Sequence, residues 1–208
     1  MSIVRVLLLC CVVCLLGGPA AAIEVAGSVA KLQGSAIATA NTGFSRPLQE
    51  GSTILVGDRV ATGADSRLRL RMADGAMVTL GSSSTMTIEA WNEDPSLGQA
   101  ALNIVEGVFL AASGAIARLG PDRMVVTTPV ATLGIRGTEV WGEAFPDRLA
   151  VALLSGTAVV VATPQGAVEM NVPGSGLDVV AGEALPPIKQ WGPPRLQKAA
   201  DAVAFADE

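Results

Sequence analysis

Few side chains in this sequence could carry out chemistry, and their types limit what the protein can do. None of the 208 residues is His or Tyr, and all three cysteines lie within the first 22 residues, at Cys10, Cys11 and Cys14. If that segment is removed as a leader, Ser/His/Asp and Cys/His nucleophilic sites are excluded, as are zinc sites built from His or Cys. Carboxylates, hydroxyls and a few lysines remain. We therefore expect a protein that is not an enzyme, with no cofactor and no metal site.

Residues 125–142, VVTTPVATLGIRGTEVWG, hold the densest group of candidate polar residues. The threonines have no neighbouring base, so none of them is activated as a nucleophile. A phosphate-binding loop would need glycines that lead into a helix, with a lysine behind them. Gly134 and Gly137 lead instead into TEVW, which predicts a strand. The threonines in question are Thr127, Thr128, Thr132 and Thr138.

Arg136 is the single cation of this stretch, and it has two interpretations. It could bind a small anion, or it could brace the fold by donating to carbonyls of an adjacent layer or by pairing with Glu139. The flanking glycines permit close backbone approach, which favours the brace, since a guanidinium has five donors to satisfy. Under that interpretation, removing Arg136 leaves buried acceptors unmatched at a cost of ~1–3 kcal/mol.

The elements that position these residues are predicted to be short strands joined by glycine turns, from residue 27 to about residue 180. In SRLRLRMADG, apolar and cationic side chains alternate with the period of a strand that has one buried and one solvated face. Asp74-Gly75 then predicts a tight turn. The sequence thus predicts an all-β fold, with glycine-cornered strands in an elongated layered or solenoid-like domain and a short C-terminal helix or tail. The alternating residues are Leu68, Leu70 and Met72 against Arg67, Arg69 and Arg71.

The first 22 residues resemble a cleavable signal peptide. Arg5 precedes an apolar run over 6–16, which is followed by glycines, a proline and three alanines ending at Ala22. The run is shorter than the ~20 residues that a membrane-spanning helix needs. We therefore expect cleavage near Ala22, a periplasmic or secreted protein, and no membrane span in the mature chain. A lipoprotein anchor is the alternative, but no small residue directly precedes any of the cysteines.

The charge balance bears on the partner. The net charge is −5 over the whole sequence, and because Arg5 is the one charged residue of the leader, it becomes −6 after cleavage. An acidic protein is poorly suited to bind nucleic acid or an anionic membrane surface. The arginines of the alternating segment are offset by nearby acids and are interpreted as the solvated face of a strand. These acids are Asp58, Asp65 and Asp74.

Two segments depart from the strand pattern. Residues 89–101 are predicted to form a polar loop, in which Asn92-Glu93-Asp94 could hold calcium but lacks the ligand spacing of an EF-hand. Residues 183–208 form a Pro-rich tail in which a short helix over 195–205 is predicted, and Trp191 is a candidate partner contact. The tail either packs on the body or a partner, or frays. The predicted apolar helix face is Leu196, Ala199, Ala200 and Val203.

The stretch VTTPVATLGIRGTEVW resembles the signature of the FecR domain, a periplasmic β domain, and the resemblance extends over about residues 25–165. It implies that residues 23–182 form one all-β domain used for protein–protein contact, in which the signature positions are structural or contact residues. The matching positions are Thr128, Pro129, Ala131, Gly134, Arg136, Gly137 and Thr138. Family members that regulate sigma factors carry an anti-sigma segment and a transmembrane helix ahead of this domain, whereas a leader stands there in this sequence.

Three functional hypotheses follow from these observations. The first is an exported, non-enzymatic binding, scaffold or signalling module that contacts an envelope protein in a Gram-negative bacterium. The second is a module that binds cell-wall glycan or another carbohydrate, and it requires an exposed indole for stacking. The third and weakest is a hydrolase with a carboxylate pair such as Asp74 with Glu106. The indoles available for stacking are Trp91, Trp141 and Trp191.

Overall fold

The structure, a computed structural model, describes residues 24–94, 96, 98–120 and 122–207. The predicted leader lies outside the described residues. Within these ranges the chain forms fifteen strands and one α-helix. The strands are β1 Val25–Gln33, β2 Ala36–Thr39, β3 Ser45–Pro47, β4 Thr53–Leu55, β5 Arg59–Thr62, β6 Arg67–Met72, β7 Met77–Leu80, β8 Thr85–Asn92, β9 Gln99–Ala112, β10 Met124–Thr127, β11 Thr132–Ala144, β12 Arg148–Thr163, β13 Gly166–Met170, β14 Ser175–Val180 and β15 Lys189–Gln190. The helix is α1 Pro193–Asp201, and a 3-10 turn spans Ile116–Arg118. The all-β prediction is confirmed.

The strands form one hydrogen-bonded network with two halves, because the three long strands β9, β11 and β12 each run through both. The first sheet has the order β4-β1-β6-β7-β9-β11-β12-β14-β15. The second sheet has the order β3-β2-β5-β8-β9-β10-β11-β12-β13. Neighbouring strands are antiparallel except β9 and β10, which are parallel.

Each long strand has a glycine with positive φ where it passes from one sheet into the other. Gly107, Gly137 and Gly156 have φ values of +99°, +58° and +100°. At Gly156 an added Cβ would lie 2.3 Å from the carbonyl oxygen of Gly137 and 2.5 Å from the Cα of Thr138. Side chains other than glycine are disfavoured at such φ values and would not fit at that approach. The long strands therefore bend at glycines that sequence inspection sees only as turn signals.

Apolar side chains from both sheets form a single buried cluster. Leu68, Leu70 and Val78 contribute from the first sheet, and Val60 and Met86 from the second, all with no exposed surface. Burial of aliphatic side chains of this size stabilises the fold by ~1.5–3 kcal/mol each. The predicted alternation along β6 is thus correct for its apolar face, which packs in the core.

One ion pair lies at the junction of the short strands β3, β4 and β5. The carboxylate of Asp58 is 1% exposed, and it accepts hydrogen bonds from the Leu55 backbone N–H at 2.8 Å and from Arg46 Nη1 at 3.0 Å. The hydrogen bond with Asp58 raises the pKa of Arg46 above its ordinary value, so this guanidinium keeps its charge. A buried carboxylate requires such donors, because charged groups are costly to remove from water.

The C-terminal tail packs on the body of the protein. We call residues 191–207 the strap, because they cross the outer surface of the first sheet from β14 to β1. Trp191 packs edge-on against Trp141 of β11 at a centroid distance of 5.9 Å. Further along, the Phe205 ring lies beneath Lys31 at 4.8 Å and Arg69 at 4.7 Å. Arg69 is therefore a strap contact rather than part of a purely solvated face, which corrects the prediction for that residue.

Three further predictions about elements can be compared with the structure. A short helix does form in the tail, at Pro193–Asp201 rather than over 195–205. The predicted loop over 89–101 is shorter than expected, because β8 continues to Asn92 and buries Trp91. Within the described part of the chain, no helix is long and apolar enough to cross a membrane.

Candidate functional site

The Thr-Pro part of the signature forms the turn between β10 and β11. The Thr128 backbone N–H donates to the Ala131 carbonyl at 2.9 Å, and the Thr128 hydroxyl donates to the same oxygen at 2.8 Å. The Ala131 N–H in turn donates to the Thr128 hydroxyl at 3.1 Å. The Thr128 side chain thus both donates and accepts hydrogen bonds within this turn, and Pro129 restricts φ inside it. Together they stabilise the turn that leads into β11. Thr128 is thus a structural residue.

Thr138 ties together the three long strands at their bend. Its backbone N–H donates to the Ser113 hydroxyl at 2.9 Å, and its carbonyl accepts from the Ser113 N–H at 3.0 Å. Its own hydroxyl donates to the Ser155 carbonyl. Since the Thr138 side chain is 5% exposed, these bonds are largely shielded from water. The fold is braced here by Thr138, one of the signature positions predicted to be a structural or contact residue.

The interpretation of Arg136 as a brace is wrong. Its side chain is exposed, and it makes no hydrogen bond or ion pair within the part of the chain that the structure describes. Glu139 does not pair with it; the Glu139 carboxylate lies 3.5 Å from the Ser155 hydroxyl instead. The physical reason is strand alternation, because Ile135 turns into the core and Arg136 then faces outward.

A groove of about 530 Å³ opens at this bend, and we call it the signature groove. Its lining includes the glycines Gly137 and Gly156 and the hydroxyl-bearing residues Ser113, Thr138 and Ser155. Glycines leave backbone polar groups open to a ligand, and hydroxyls can both donate and accept. The groove therefore offers hydrogen-bonding groups, among them the Ser155 hydroxyl, which lies 3.5 Å from the Glu139 carboxylate.

The charges around the groove come from three side chains. Arg118 and Glu139 line it, and Arg136 directly precedes Gly137. Arg118, like Arg136, is exposed and has no hydrogen-bonded or ionic partner among the described residues. Arg118 and Glu139 thus place one charge of each sign in the lining of the groove, and Arg136 adjoins it only through its chain neighbour Gly137.

The structure does not bring together the other groups that were considered for catalysis. Asp74 caps a turn, accepting from the Ala76 N–H at 3.1 Å and from the Ile116 N–H at 3.0 Å. Glu106 is exposed, and it lies in β9 six residues before Ala112, the end of that strand nearest to Asp74. Six residues of extended strand span about 20 Å. A pair that the sequence analysis did not consider, Ser28 and Lys31, has Ser-x-x-Lys spacing, but the Lys31 ammonium is held by Asp207 at 2.6 Å.

The predicted metal and glycan residues are also placed by the fold. Asn92 and Asp94 form local turns, in which the Asp94 N–H donates to Asn92 Oδ1 at 2.9 Å. No group of three or more metal-ligating side chains occurs in the described ranges. Trp91, Trp141 and Trp191 are 2%, 5% and 5% exposed, so each indole is covered by the chain itself. Trp191 as a partner contact stays a prediction, and it would require the strap to shift.

Comparison with known proteins bears on the family. Residues 58–159 match the family model described as FecR protein. Two crystal structures of a candidate anti-sigma factor from Parabacteroides distasonis share the fold, with TM-scores of 0.54 and 0.55 at 15% and 16% identity. Each alignment covers 67% of this chain and 62% of the other, so the likeness spans less than two thirds of those proteins. No curated protein matches the sequence. The resemblance first seen in the Thr-Pro and Arg-Gly-Thr residues is confirmed, since the match to the FecR family model includes them.

Proposed function

We propose that this protein is an exported, non-enzymatic regulatory module that binds a segment of an envelope protein at the signature groove. The observation that carries the proposal is Arg136, which is exposed and unpaired among the described residues beside a groove whose shape Thr138 fixes. A signature residue that contributes nothing visible to the fold is available for contact. FecR-type domains and proteins described as anti-sigma factors are regulatory rather than catalytic, which agrees with this proposal.

The groove suits a peptide better than the alternatives. Its glycine backbone and hydroxyls can pair with the main chain of an incoming segment, and Arg118 and Arg136 add charge at the rim. A glycan module would stack sugars on an indole face exposed at the protein surface, and none of the three indoles is more than 5% exposed. The hydrolase hypothesis has no carboxylate pair to rely on, because Glu106 lies six residues along β9 from Ala112, the end of that strand nearest to Asp74.

Site-directed photocrosslinking tests the proposal. A photoreactive amino acid at position 136 should crosslink one envelope protein, whereas the same label at Arg59, an exposed arginine of β5, should not. The captured protein, once purified, should bind the wild-type chain and lose about tenfold or more in affinity with Arg136→Ala. Equal capture at both positions, or unchanged affinity of the variant, would contradict a contact role for this groove.

Export is tested separately. Cell fractionation of the producing bacterium should place the mature protein in the periplasm or the medium, with an amino terminus close to residue 23. A mature protein that retains the leader and stays in the cytoplasm would remove export from the proposal and leave the groove unaffected.

A further inference from the structure

A second cavity, of about 420 Å³, lies between the strap and the outer surface of the first sheet. Its volume falls within the range of small-molecule sites, ~300–1,000 Å³. Trp141 of β11 and Trp191 of the strap form part of its wall, together with Ala199 of α1. These residues belong to a buried cluster separate from the main core, so the cavity is not a packing defect within that core.

The cavity wall is held rigidly. Arg195 donates two hydrogen bonds to the Asp178 carboxylate of β14, one of them at 3.0 Å. Its guanidinium carbon lies 3.5 Å from the centre of the Trp191 ring, in a cation–π contact. Trp191 in turn meets Trp141 edge-to-face at an interplanar angle of 72°. The strap therefore presents a fixed aromatic surface.

The polar groups of this wall are mostly donors. Trp141 Nε1 has no hydrogen-bond partner in the described structure but is itself buried, so the donors open to a ligand are those of Lys198 and Arg195. Lys198 lines the cavity without a hydrogen bond or ion pair to any described residue, and Arg195 has donors beyond those used on Asp178. Glu143 is the single acidic side chain of the wall. A surplus of donors on an apolar, aromatic wall is complementary to a flat apolar ligand that carries an acceptor group.

We propose that this cavity binds a small aromatic carboxylate. The ring of the ligand packs against the two indoles, and its carboxylate accepts from Lys198 and from Arg195. Glu143 disfavours the ligand's negative charge, so it limits affinity and selects against a second carboxylate. This site is independent of the signature groove, and it gives the strap a role in binding as well as in stability.

Nuclear magnetic resonance of the full chain, with ¹⁵N in the indole groups, tests the proposal with phenylacetate as the probe. The Trp141 and Trp191 indole signals should shift with a dissociation constant of about 1 mM, the affinity expected for a ligand of this size. The Trp91 signal is an internal control, because that indole also has an unpaired Nε1 but lies in the main core. Phenethylammonium, with the same ring and the opposite charge, should not bind.

Variants of the wall decide the result. Lys198→Met should weaken phenylacetate binding about tenfold, as expected for the loss of a charge-assisted hydrogen bond. Lys189→Met, the same change on exposed β15 outside the cavity, should leave binding unchanged. Glu143→Gln should strengthen phenylacetate binding. It provides an independent test if the Lys198 variant folds poorly. No shift up to about 20 mM, equal binding of the cation, or equal effects of the two lysine changes would overturn the proposal.

Discussion

Substitution of Gly156 by alanine should be among the most damaging single-methyl additions in this protein. Gly156 has φ = +100°, where an L-residue costs ~1–2 kcal/mol or more. The new Cβ would also lie 2.3 Å from the Gly137 carbonyl oxygen and 2.5 Å from the Thr138 Cα. Both atoms are backbone, so relief requires β11 and β12 to separate, which adds ~1–3 kcal/mol. We therefore expect Gly156→Ala to reduce the free energy of unfolding by about 2–5 kcal/mol.

Gly137→Ala is the matched control, because it adds the same methyl group on the facing strand. Gly137 has φ = +58°, and an added Cβ would meet only the Thr157 hydroxyl at 3.5 Å, so we expect a loss of about 1–2 kcal/mol. Urea denaturation followed by circular dichroism should separate the two variants in midpoint but not in slope. Equal losses, or a smaller loss for Gly156→Ala, would refute the idea that backbone approach at the bend requires this glycine.

Three other substitutions test the remaining assignments. Arg136→Ala should change the free energy of unfolding by less than about 0.5 kcal/mol in chemical denaturation, because the side chain is exposed and unpaired within the described structure. Arg46→Ala should lower the free energy of unfolding by about 3 kcal/mol, because it leaves the buried Asp58 carboxylate without its cation. Asp58→Asn removes that charge and should therefore cost less stability. A smaller loss for Arg46→Ala than for Asp58→Asn would contradict this reasoning. In thermal denaturation, Phe205→Ala should lower the free energy of unfolding by about 3 kcal/mol, because this ring of the strap is buried. Phe44→Ala is the control and should change stability little, since that ring is 69% exposed. Equal effects of the two changes would show that the strap contributes no stability.

The general architecture was predictable because strand alternation and glycine turns are local signals. The apolar residues of β6 face the core as the pattern requires, since a period of two fixes the face of each side chain. What the pattern could not give was the pairing order. Whether β9 runs through one sheet or two depends on contacts distant in sequence, such as the pairing of its two ends with β8 and β7.

The strap shows the same limit. An amphipathic tail could be identified from its spacing, but the surface that it covers is assembled from β11, β12 and β14, which come together only in the folded chain. Phe205 contacts Arg69 across 136 positions of sequence. The local sequence around Arg69 predicts a solvated side chain. Its contact with the strap could not be predicted from that local sequence, because the strap lies far away in the chain.

The signature itself divides into two kinds of residue, and the division is the argument for function. Thr128 closes a turn with its own side chain, and Thr138 binds the three long strands, so both have structural reasons to be what they are. Gly137 allows the bend between the sheets. Arg136 has no such reason within the described residues, yet it lies between these fixed positions and directly precedes Gly137, which lines the groove. Because the fold makes no use of this side chain, it is available to bind a partner, so we expect Arg136→Ala to leave the unfolding curve unchanged and to weaken binding of the partner about tenfold or more.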